Sequence, residues 1–306
     1  MIFVICWIPV FVVFAGCSFV SPQPGIARSD SSFQSAKVVG KLKSDEITES
    51  SGVAASRCQS NVLWTHNDSG DDAFVYAFTM SGDSLGTWKV QNAENNDWED
   101  IAAYKDKAGK CFLYIGEIGD NKAKRPEHAV YRIPEPVIVP AAVGSSRKGP
   151  LQTANAEVIR FSYPDVDQDC ETLMVHPKSG DIYIVTKRVS GPAAIYRIDG
   201  AFDSSEVQKA MSIGELSVLA VPNGFLTGGD ISPDGLRLII CDYTQAYEYT
   251  LPKLAANFDE IWKQEPERVD LGKRKGGESI CYNVDGTSLF ATSEGKHSPV
   301  IEVRRK

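Results

Sequence analysis

Short hydrophobic runs recur along this chain, and a turn sequence precedes each of them. The turns are RCQS, DKAGK, PKSG, SPDG and NVDG, all rich in residues that favour chain reversal. The runs that follow are NVLWTHND (61–68), CFLYIGEIG (111–119), DIYIVTKR (181–188), RLIICDY (237–243) and SLFATSEG (288–295). Repetition of one pattern along a chain predicts a repeat architecture.

A further strand follows each run, and a fourth follows in all units but the last. The third strands are FVYAF, AVYRI, AIYRI, AYEYT and VIEVR, and the fourth are LGTWKV, AEVIRFSY, LSVLAV and ERVDLG. The last unit is completed by AKVVGKLK (36–43), because a strand from the N-terminus closes the ring and removes exposed sheet edges. The sequence therefore predicts an all-β fold, a five-bladed β-propeller whose N-terminal strand closes the last blade.

Other interpretations of the pattern depend on the less regular segments. Six blades would require paired strands within 134–154, but PVIVPAAVGSSRKGPLQ lacks turn-bounded pairs and is interpreted as an excursion. A β-sandwich would show no regular four-strand period. Two helices are also expected: an amphipathic one over 252–264, with Leu254, Phe258, Ile261 and Trp262 on one face, and a shorter one within 202–213.

The N-terminus has the features of an export signal. Its first sixteen residues are almost wholly apolar, which is short for a membrane span. Phe14-Ala15-Gly16-Cys17 resembles a lipobox, in which Cys17 would be acylated, although Phe14 replaces the usual Leu and no basic residue precedes the apolar run. We predict a signal peptide over 1–17, a flexible tether over 18–35 and a propeller domain over 36–306. An uncleaved hydrophobic anchor is the alternative.

Charge and cysteine content exclude several function classes. A net charge of −8 argues against nucleic acid as a partner, because phosphate-binding surfaces are basic. Five cysteines follow the signal, and none has zinc-site spacing. One or two disulfides are possible but cannot be paired from sequence. Cys111 and Cys241 lie in strand-like runs, where a free thiol would pack as a small hydrophobe.

Acidic residues recur on the predicted innermost strands. One acid falls in each unit: Glu49, Glu99, Glu171, Asp230 and Glu278. Counted back from the turn glycine, Thr227 is a better positional match than Asp230, so the predicted metal-binding ring consists of Glu49, Glu99, Glu171 and Glu278. Converging carboxylates require a cation or raised pKa values, and oxygen-rich sites suit Ca²⁺. The alternative is that each acid only accepts hydrogen bonds from nearby backbone amides.

The second strand of each blade ends beside the start of the first, because the two run antiparallel. Polar side chains at these strand ends would surround one funnel with the glutamates. The predicted ligand-binding residues are Asn67, Asp68, Asp120, Asn121, Lys187, Arg188, Tyr243 and Glu294. The candidate catalytic residues are His66, Glu99 and Glu171. Ordinary turn chemistry also explains NDSG and GDN individually.

The ordered series ESSGVAAS, LWTHNDSGD, NDWEDIA, YIGEIGDN, SGDIYIVTK, GGDISPDG and GESICY with TSEG resembles a family of exported bacterial β-propeller proteins, mostly uncharacterised. The resemblance covers about residues 45 to 296. It implies a propeller fold and export, and no established reaction. A more distant similarity to propeller hydrolases that hold Ca²⁺ in the central channel is an analogy of fold only.

Two functions follow as expectations. One is an exported, membrane-tethered propeller that binds a divalent cation and a small polar ligand or glycan in its funnel. The other is a Ca²⁺-assisted esterase, phosphoesterase or glycosidase that uses the same funnel. No nucleophile elbow, P-loop or HExxH motif occurs, which favours binding. The membrane contact would be through the lipid anchor only, and a monomer is expected.

Overall fold

Five sheets, each with an antiparallel core, form the blades of a five-bladed β-propeller, as the repeat predicts. The structure is a computed structural model that describes residues 31–202, 206–220 and 222–306. The predicted signal peptide and Cys17 lie outside these residues. The chain enters through β1 (Lys37–Lys41). No helix in the described ranges is long and apolar enough to cross a membrane.

The first two blades follow in chain order. Blade 1 contains β2 (Ser50–Ala55), β3 (Leu63–Asn67), β4 (Phe74–Phe78) and β5 (Ser84–Gln91). Blade 2 contains β6 (Trp98–Lys105), β7 (Cys111–Glu117) and β8 (His128–Pro134). Its fourth strand is β10 (Glu157–Ser162), which follows β9 (Leu151–Asn155). The innermost strands β2 and β6 are almost fully buried, as expected for strands that face a central axis.

The remaining blades follow the same plan. Blade 3 contains β11 (Cys170–Val175), β12 (Ile182–Thr186), β13 (Ala193–Ile198) and β15 (Met211–Leu216), the last preceded by β14 (Val207–Lys209). Blade 4 contains β16 (Gly228–Ile231), β17 (Arg237–Cys241), β18 (Gln245–Thr250) and β19 (Glu267–Asp270). Blade 5 contains β20 (Ser279–Tyr282), β21 (Ser288–Thr292) and β22 (Pro299–Arg304).

The N-terminal strand closes the ring, as predicted. β1 pairs antiparallel with β22, from Lys37 opposite Glu302 to Lys41 opposite Pro299, and so becomes the fourth strand of blade 5. Leu42, directly after β1, has no exposed surface and packs with residues of blades 1 and 5. Residues 31–34 of the predicted tether also lie against blade 5, where Phe33 is buried.

The excursion over 134–154 belongs to blade 1 and does not form a sixth blade. It contains a short 3-10 helix (Pro140–Ala142) and then β9, which pairs parallel with β5. Likewise β14 pairs parallel with β10 at the outer edge of blade 2. The two segments therefore cover the outer edges of blades 1 and 2, where an unpaired strand would expose its backbone polar groups.

Three local predictions were wrong. The fourth strand of blade 3 is β15 and not LSVLAV, because an outermost strand is largely exposed and can be less apolar than the segment after it. The region predicted as a helix over 202–213 forms β14 and β15 where it is described. Instead of an α-helix over 252–264, a 3-10 helix spans Phe258–Lys263: Asn257 caps it by accepting a hydrogen bond from the Asp259 amide, which leaves Leu254 exposed outside it.

The five cysteines in the described ranges divide into one disulfide and three buried thiols. Cys58, in the turn after β2, is bonded to Cys111 at the start of β7, so the bridge joins blades 1 and 2. Of the two cysteines in strand-like runs, Cys111 is therefore in the disulfide, whereas Cys241 is a free, buried thiol. Cys170 and Cys281 are also free and buried.

Candidate metal and ligand site

Acidic side chains converge at the end of the propeller where the innermost strands begin, here called the acidic end. Five of them form two overlapping groups of three in which one oxygen of each carboxylate lies within 4.8 Å of the others. Glu99 is shared by both groups. The acidic cluster consists of Asp68, Asp97, Glu99, Asp169 and Glu171. Blades 1, 2 and 3 thus contribute to one site on the axis.

β-Bulges place the two central glutamates. Strand pairing in blade 2 shifts between Trp98 and Ile101, and in blade 3 between Cys170 and Thr172. Glu99 and Glu171 lie within these irregularities. A bulge adds a residue to one strand and redirects its side chain, which is a common device beside functional sites. In blade 1, Ser51 occupies the corresponding bulge, and its hydroxyl donates to the Glu99 carbonyl at 2.7 Å.

Gly119 leaves space for two of the carboxylates. A Cβ atom at this position would lie 2.2 Å from Glu99 Oε1 and 2.7 Å from Asp97 Cγ, both closer than real contacts allow. The backbone of Gly119 is not in the left-handed region, so the need for glycine here is one of space. The loop after β7 therefore approaches the acidic cluster more closely than any residue with a side chain could.

Burial and mutual repulsion disfavour ionisation within the cluster. Burial raises the pKa of Asp97 to about 6, and the charges of Asp68 and Asp169 add to the effect. Burial raises the pKa of Glu171 to about 7 even though a lysine beside it acts in the opposite direction. The pKa of Glu99 is raised well above its usual range, by burial and then by Glu171. Removing water from like charges has this result unless a cation compensates them.

Lys187 is a basic group beside the cluster. Its ammonium lies 2.8 Å from Glu171 Oε1, and the charges of Glu171 and Glu278 keep its pKa above the usual value despite burial. Glu278 is 3% exposed, and its Oε2 has no hydrogen-bond partner among the described residues. Burial, together with Glu171 and Glu294, raises the pKa of Glu278 to about 8. Blade 5 thus contributes a buried carboxylate, one oxygen of which is unpartnered among the described residues, near the same centre.

The predicted ring of four glutamates is only partly assembled. The structure brings Glu99 and Glu171 together, and Glu278 lies beside them next to Lys187. Glu49 is exposed and lies outside both groups of three; burial and then Asp68 and Glu294 raise its pKa. Asp230 points elsewhere, as the register of Thr227 suggested: its carboxylate accepts from Arg57 at 2.9 Å and from the Tyr282 amide.

His66 and Asn67 are buried, and the His66 ring packs edge to face against Trp98 of blade 2, with centroids 5.7 Å apart. His66 has no exposed surface, its Nδ1 lies 2.9 Å from the Asn67 carbonyl, and burial lowers its pKa. The Asn67 amide oxygen accepts from the backbone amides of Thr48 and Glu49 at 2.9 and 3.1 Å, and its nitrogen donates to Asp71. Both side chains therefore organise the turn that holds Asp68.

The other predicted ligand-binding residues lie around this centre. The Asp120 carboxylate accepts from the backbone amides of Lys124 and Arg125, and its own amide donates to Asp169 Oδ1 at 2.8 Å. Arg188 donates to Gln168 Oε1 at 3.2 Å. Asn121 and Glu294 are exposed, and Tyr243 is partly buried. Asp120 thus shapes the site through its loop, whereas Tyr243 and Glu294 keep surface that a ligand can contact.

Sequence reasoning missed Asp97 and Asp169. A usable signal was present: Asp97-Trp98-Glu99 and Asp169-Cys170-Glu171 place an acid two residues before the glutamate at the start of two innermost strands. Alternate residues of a regular strand share a face, but here a bulge and a strand end intervene. The convergence of each pair therefore could not be read from strand periodicity.

Comparison with known proteins adds no family assignment. The sequence matches no family model and no curated protein. Among solved structures, the chain is similar to a gluconolactonase from Xanthomonas campestris, with 13% identity over 90% of this chain and 94% of that one and a TM-score of 0.45.

Proposed function

We propose that this protein binds a divalent cation through the acidic cluster, with Ca²⁺ as the first candidate, and a small polar ligand beside it. The observation that carries the proposal is the convergence of five carboxylates from three blades in two groups that share the buried Glu99. The unpartnered, buried oxygen of Glu278 supports it independently, since an isolated buried carboxylate is costly unless something compensates it.

The donor set fits a hard cation. Ca²⁺ takes carboxylate oxygens at about 2.3–2.6 Å, so two oxygens on one ion are at most about 5 Å apart. The separations of up to 4.8 Å within each group meet that limit. Glu99 belongs to both groups and would therefore be the central ligand. When bound, the cation would neutralise the cluster and polarise an oxygen of a ligand placed on it.

Calorimetric titration of Ca²⁺ and Mg²⁺ into the metal-free protein tests the proposal. We expect Ca²⁺ to bind and Asp97→Asn to weaken binding at least tenfold, because the substitution removes one carboxylate ligand. The Asp97 carboxylate accepts no hydrogen bond from the described residues, so the substitution should leave the fold intact. Asp83→Asn is the matched control, since Asp83 lies in the turn before β5, at the opposite end of the blade, and pairs with Lys43 at 2.5 Å. Equal Ca²⁺ affinity in the wild type and Asp97→Asn would exclude the cluster as the site.

A hydrolytic use of the same site is the second candidate. The observation that favours it is the Glu278 carboxylate, which is buried near Lys187 with its Oε2 unpartnered among the described residues, and so could exchange a proton with a bound ester. A panel of chromogenic ester, phosphate and glycoside substrates tests this candidate. Turnover that requires Ca²⁺ and is lost in Glu278→Gln would establish it, and the absence of turnover in the entire panel would favour binding alone.

We also propose that the protein is exported and tethered through Cys17. The Cys58–Cys111 disulfide supports export, because such bonds persist in oxidising compartments. Phe33 pairs with Arg305, after the end of β22, so the chain enters the propeller at the end opposite the acidic cluster. Cys17→Ala should release the protein from membranes or block its processing; unchanged fractionation would favour an uncleaved anchor.

A further inference from the structure

An apolar cleft adjoins the acidic cluster on the side of blade 4. Its volume is ≈340 Å³, and its lining residues are Ala220, Pro222, Phe225, Asp242, Tyr243 and Thr244. The Phe225 and Tyr243 rings meet edge to face, with centroids 4.9 Å apart. The cleft therefore provides two aromatic ring surfaces next to the acidic cluster.

Asp242 is the one charged residue among the described residues that line the cleft, and its carboxylate already accepts hydrogen bonds. Asp242 Oδ1 accepts from the backbone amides of Thr244 and Gln245 at 2.7 and 3.0 Å, and Oδ2 accepts from the Tyr247 hydroxyl at 2.8 Å. These bonds lower the pKa of Asp242 even though burial acts in the opposite direction. A ligand in the cleft would thus meet ring faces and aliphatic groups, with hydroxyls only on Tyr243 and Thr244.

Lys187 connects the cleft to the acidic cluster. Its ammonium lies 5.1 Å from the centre of the Phe225 ring and 5.6 Å from that of Tyr243, while it also pairs with Glu171. An ammonium has three N–H donors, and the pair with Glu171 uses one of them. Lys187 can therefore donate to a ligand that lies between the cleft and a cation on the cluster.

We infer that the ligand is an uncharged ring that carries one anionic group, a phosphate or a carboxylate. The anionic group would lie between Lys187 and the cation, and the ring would pack against Phe225 and Tyr243. This inference rests on the proposed cation site, because the carboxylates of the cluster would repel an anion in the absence of a cation. An aromatic ring or the apolar face of a sugar ring would pack on the two side chains. A free inorganic anion would leave the cleft unfilled and bind more weakly.

Phenyl phosphate is the probe, with inorganic phosphate and phenol as its two halves and benzoate as the carboxylate counterpart. Titration calorimetry in saturating Ca²⁺ should show phenyl phosphate binding at least tenfold more tightly than either half. No binding is expected after Ca²⁺ is removed with a chelator. Comparison of benzoate with phenyl phosphate shows which anionic group the site prefers.

Two substitutions separate the contribution of Lys187 to ligand binding from that of the aromatic cleft. Lys187→Met should weaken phenyl phosphate binding at least tenfold without weakening Ca²⁺ binding, and Phe225→Leu should remove most of the advantage over inorganic phosphate. Lys89→Met is the matched control, because Lys89 also pairs with an acid, Asp72 at 3.4 Å, and lies 5.5 Å from an aromatic ring, Phe74, but on the outer part of blade 1. If Lys187→Met lowers the melting temperature, Lys187→Arg, which keeps the charge, should restore binding.

The outcomes distinguish the two proposals. Ca²⁺ binding with no phenyl phosphate binding, or with equal affinity for inorganic phosphate, would overturn the ligand class and leave the cation site intact. Unchanged phenyl phosphate affinity in Lys187→Met and Phe225→Leu would also overturn it, since the probe would then bind elsewhere. Absence of Ca²⁺ binding would refute both.

Discussion

Replacing Gly119 by alanine tests the geometry of the acidic cluster with a single methyl group. The added Cβ would lie 2.2 Å from Glu99 Oε1 and 2.7 Å from both Asp97 Cγ and Oδ2, so these two side chains must move. Overfilling a packed site costs about 1–3 kcal/mol. The clashing atoms belong to carboxylate groups whose side chains can rotate away, so we expect the lower end, about 1 kcal/mol. For a domain of this size, that corresponds to a fall of about 2–4 °C in the melting temperature.

Gly119→Ala should weaken Ca²⁺ binding by a larger free energy than it lowers the stability of the fold. Asp97 and Glu99 supply two oxygens of one group of three, and displacing them should lower the affinity 10- to 100-fold, or about 1.4–2.8 kcal/mol. Calorimetric titration measures the affinity, and thermal unfolding without metal measures the stability. Gly144→Ala is the matched control, because a Cβ there meets no atom within 4 Å and its backbone is not left-handed. Wild-type Ca²⁺ affinity in Gly119→Ala would refute the proposed cluster geometry.

Four further predictions concern stability. Deleting 36–43 should cost at least about 3 kcal/mol, because it removes the closing strand and buried Leu42; an unchanged denaturant midpoint would refute closure by β1. Chelation should lower the melting temperature of the wild type, whereas Glu99→Gln with Glu171→Gln should abolish that response and stabilise the metal-free form; a strongly destabilised double mutant would contradict this. Burial lowers the pKa of His128 to about 4, so stability should fall by up to about 3 kcal/mol as pH drops from 6.5 to 4, and His128→Leu should flatten that decline in pH-dependent unfolding. Reducing Cys58–Cys111 should cost about 2–4 kcal/mol, and Cys58→Ser with Cys111→Ser should unfold at the same temperature with or without reductant.

The blade repeat could be predicted because each unit encodes the same local events. A turn such as SPDG or NVDG and the apolar run after it specify a hairpin without help from the rest of the chain. Five such units and one spare strand at the start leave ring closure as the arrangement without exposed edges. The outermost strands were harder to predict: β15 is mostly exposed, so its sequence carries little apolar signal, and the more apolar LSVLAV was chosen instead.

The sequence was sufficient to predict the region of the site, but it was not sufficient to predict every residue in it. Strand polarity placed the acidic loops at one end of the axis, and Asp68, Glu99 and Glu171 meet there. Which other acids join them depends on β-bulges. A bulge shifts the strand register by one residue, and the hydrophobic periodicity of the sequence does not reveal that shift. Gly119 illustrates the same limit, because its role depends on a close approach between a loop of β7 and the start of β6, which only the folded chain shows.

The acidic residues on and beside the innermost strands form two classes, according to whether backbone amides donate hydrogen bonds to their carboxylates. Asp100 is fully buried and accepts from three backbone amides, those of Ile101, Leu173 and Gly229, so it ties blades 2, 3 and 4 together. Asp230 does the same between blades 4 and 5. These two fulfil the structural role that repeated acids can have in a propeller.

Asp97 and Glu278 differ from Asp100 and Asp230. Within the described residues, no backbone amide donates a hydrogen bond to either carboxylate. Burying an acid without such partners raises its energy, and the fold gains no cross-blade bond in return. The cost is concentrated at one point on the axis, where Gly119 lacks a side chain and two bulges direct glutamates inward. An arrangement that destabilises the metal-free chain at a single place, without a gain for the fold, supports the proposed cation site.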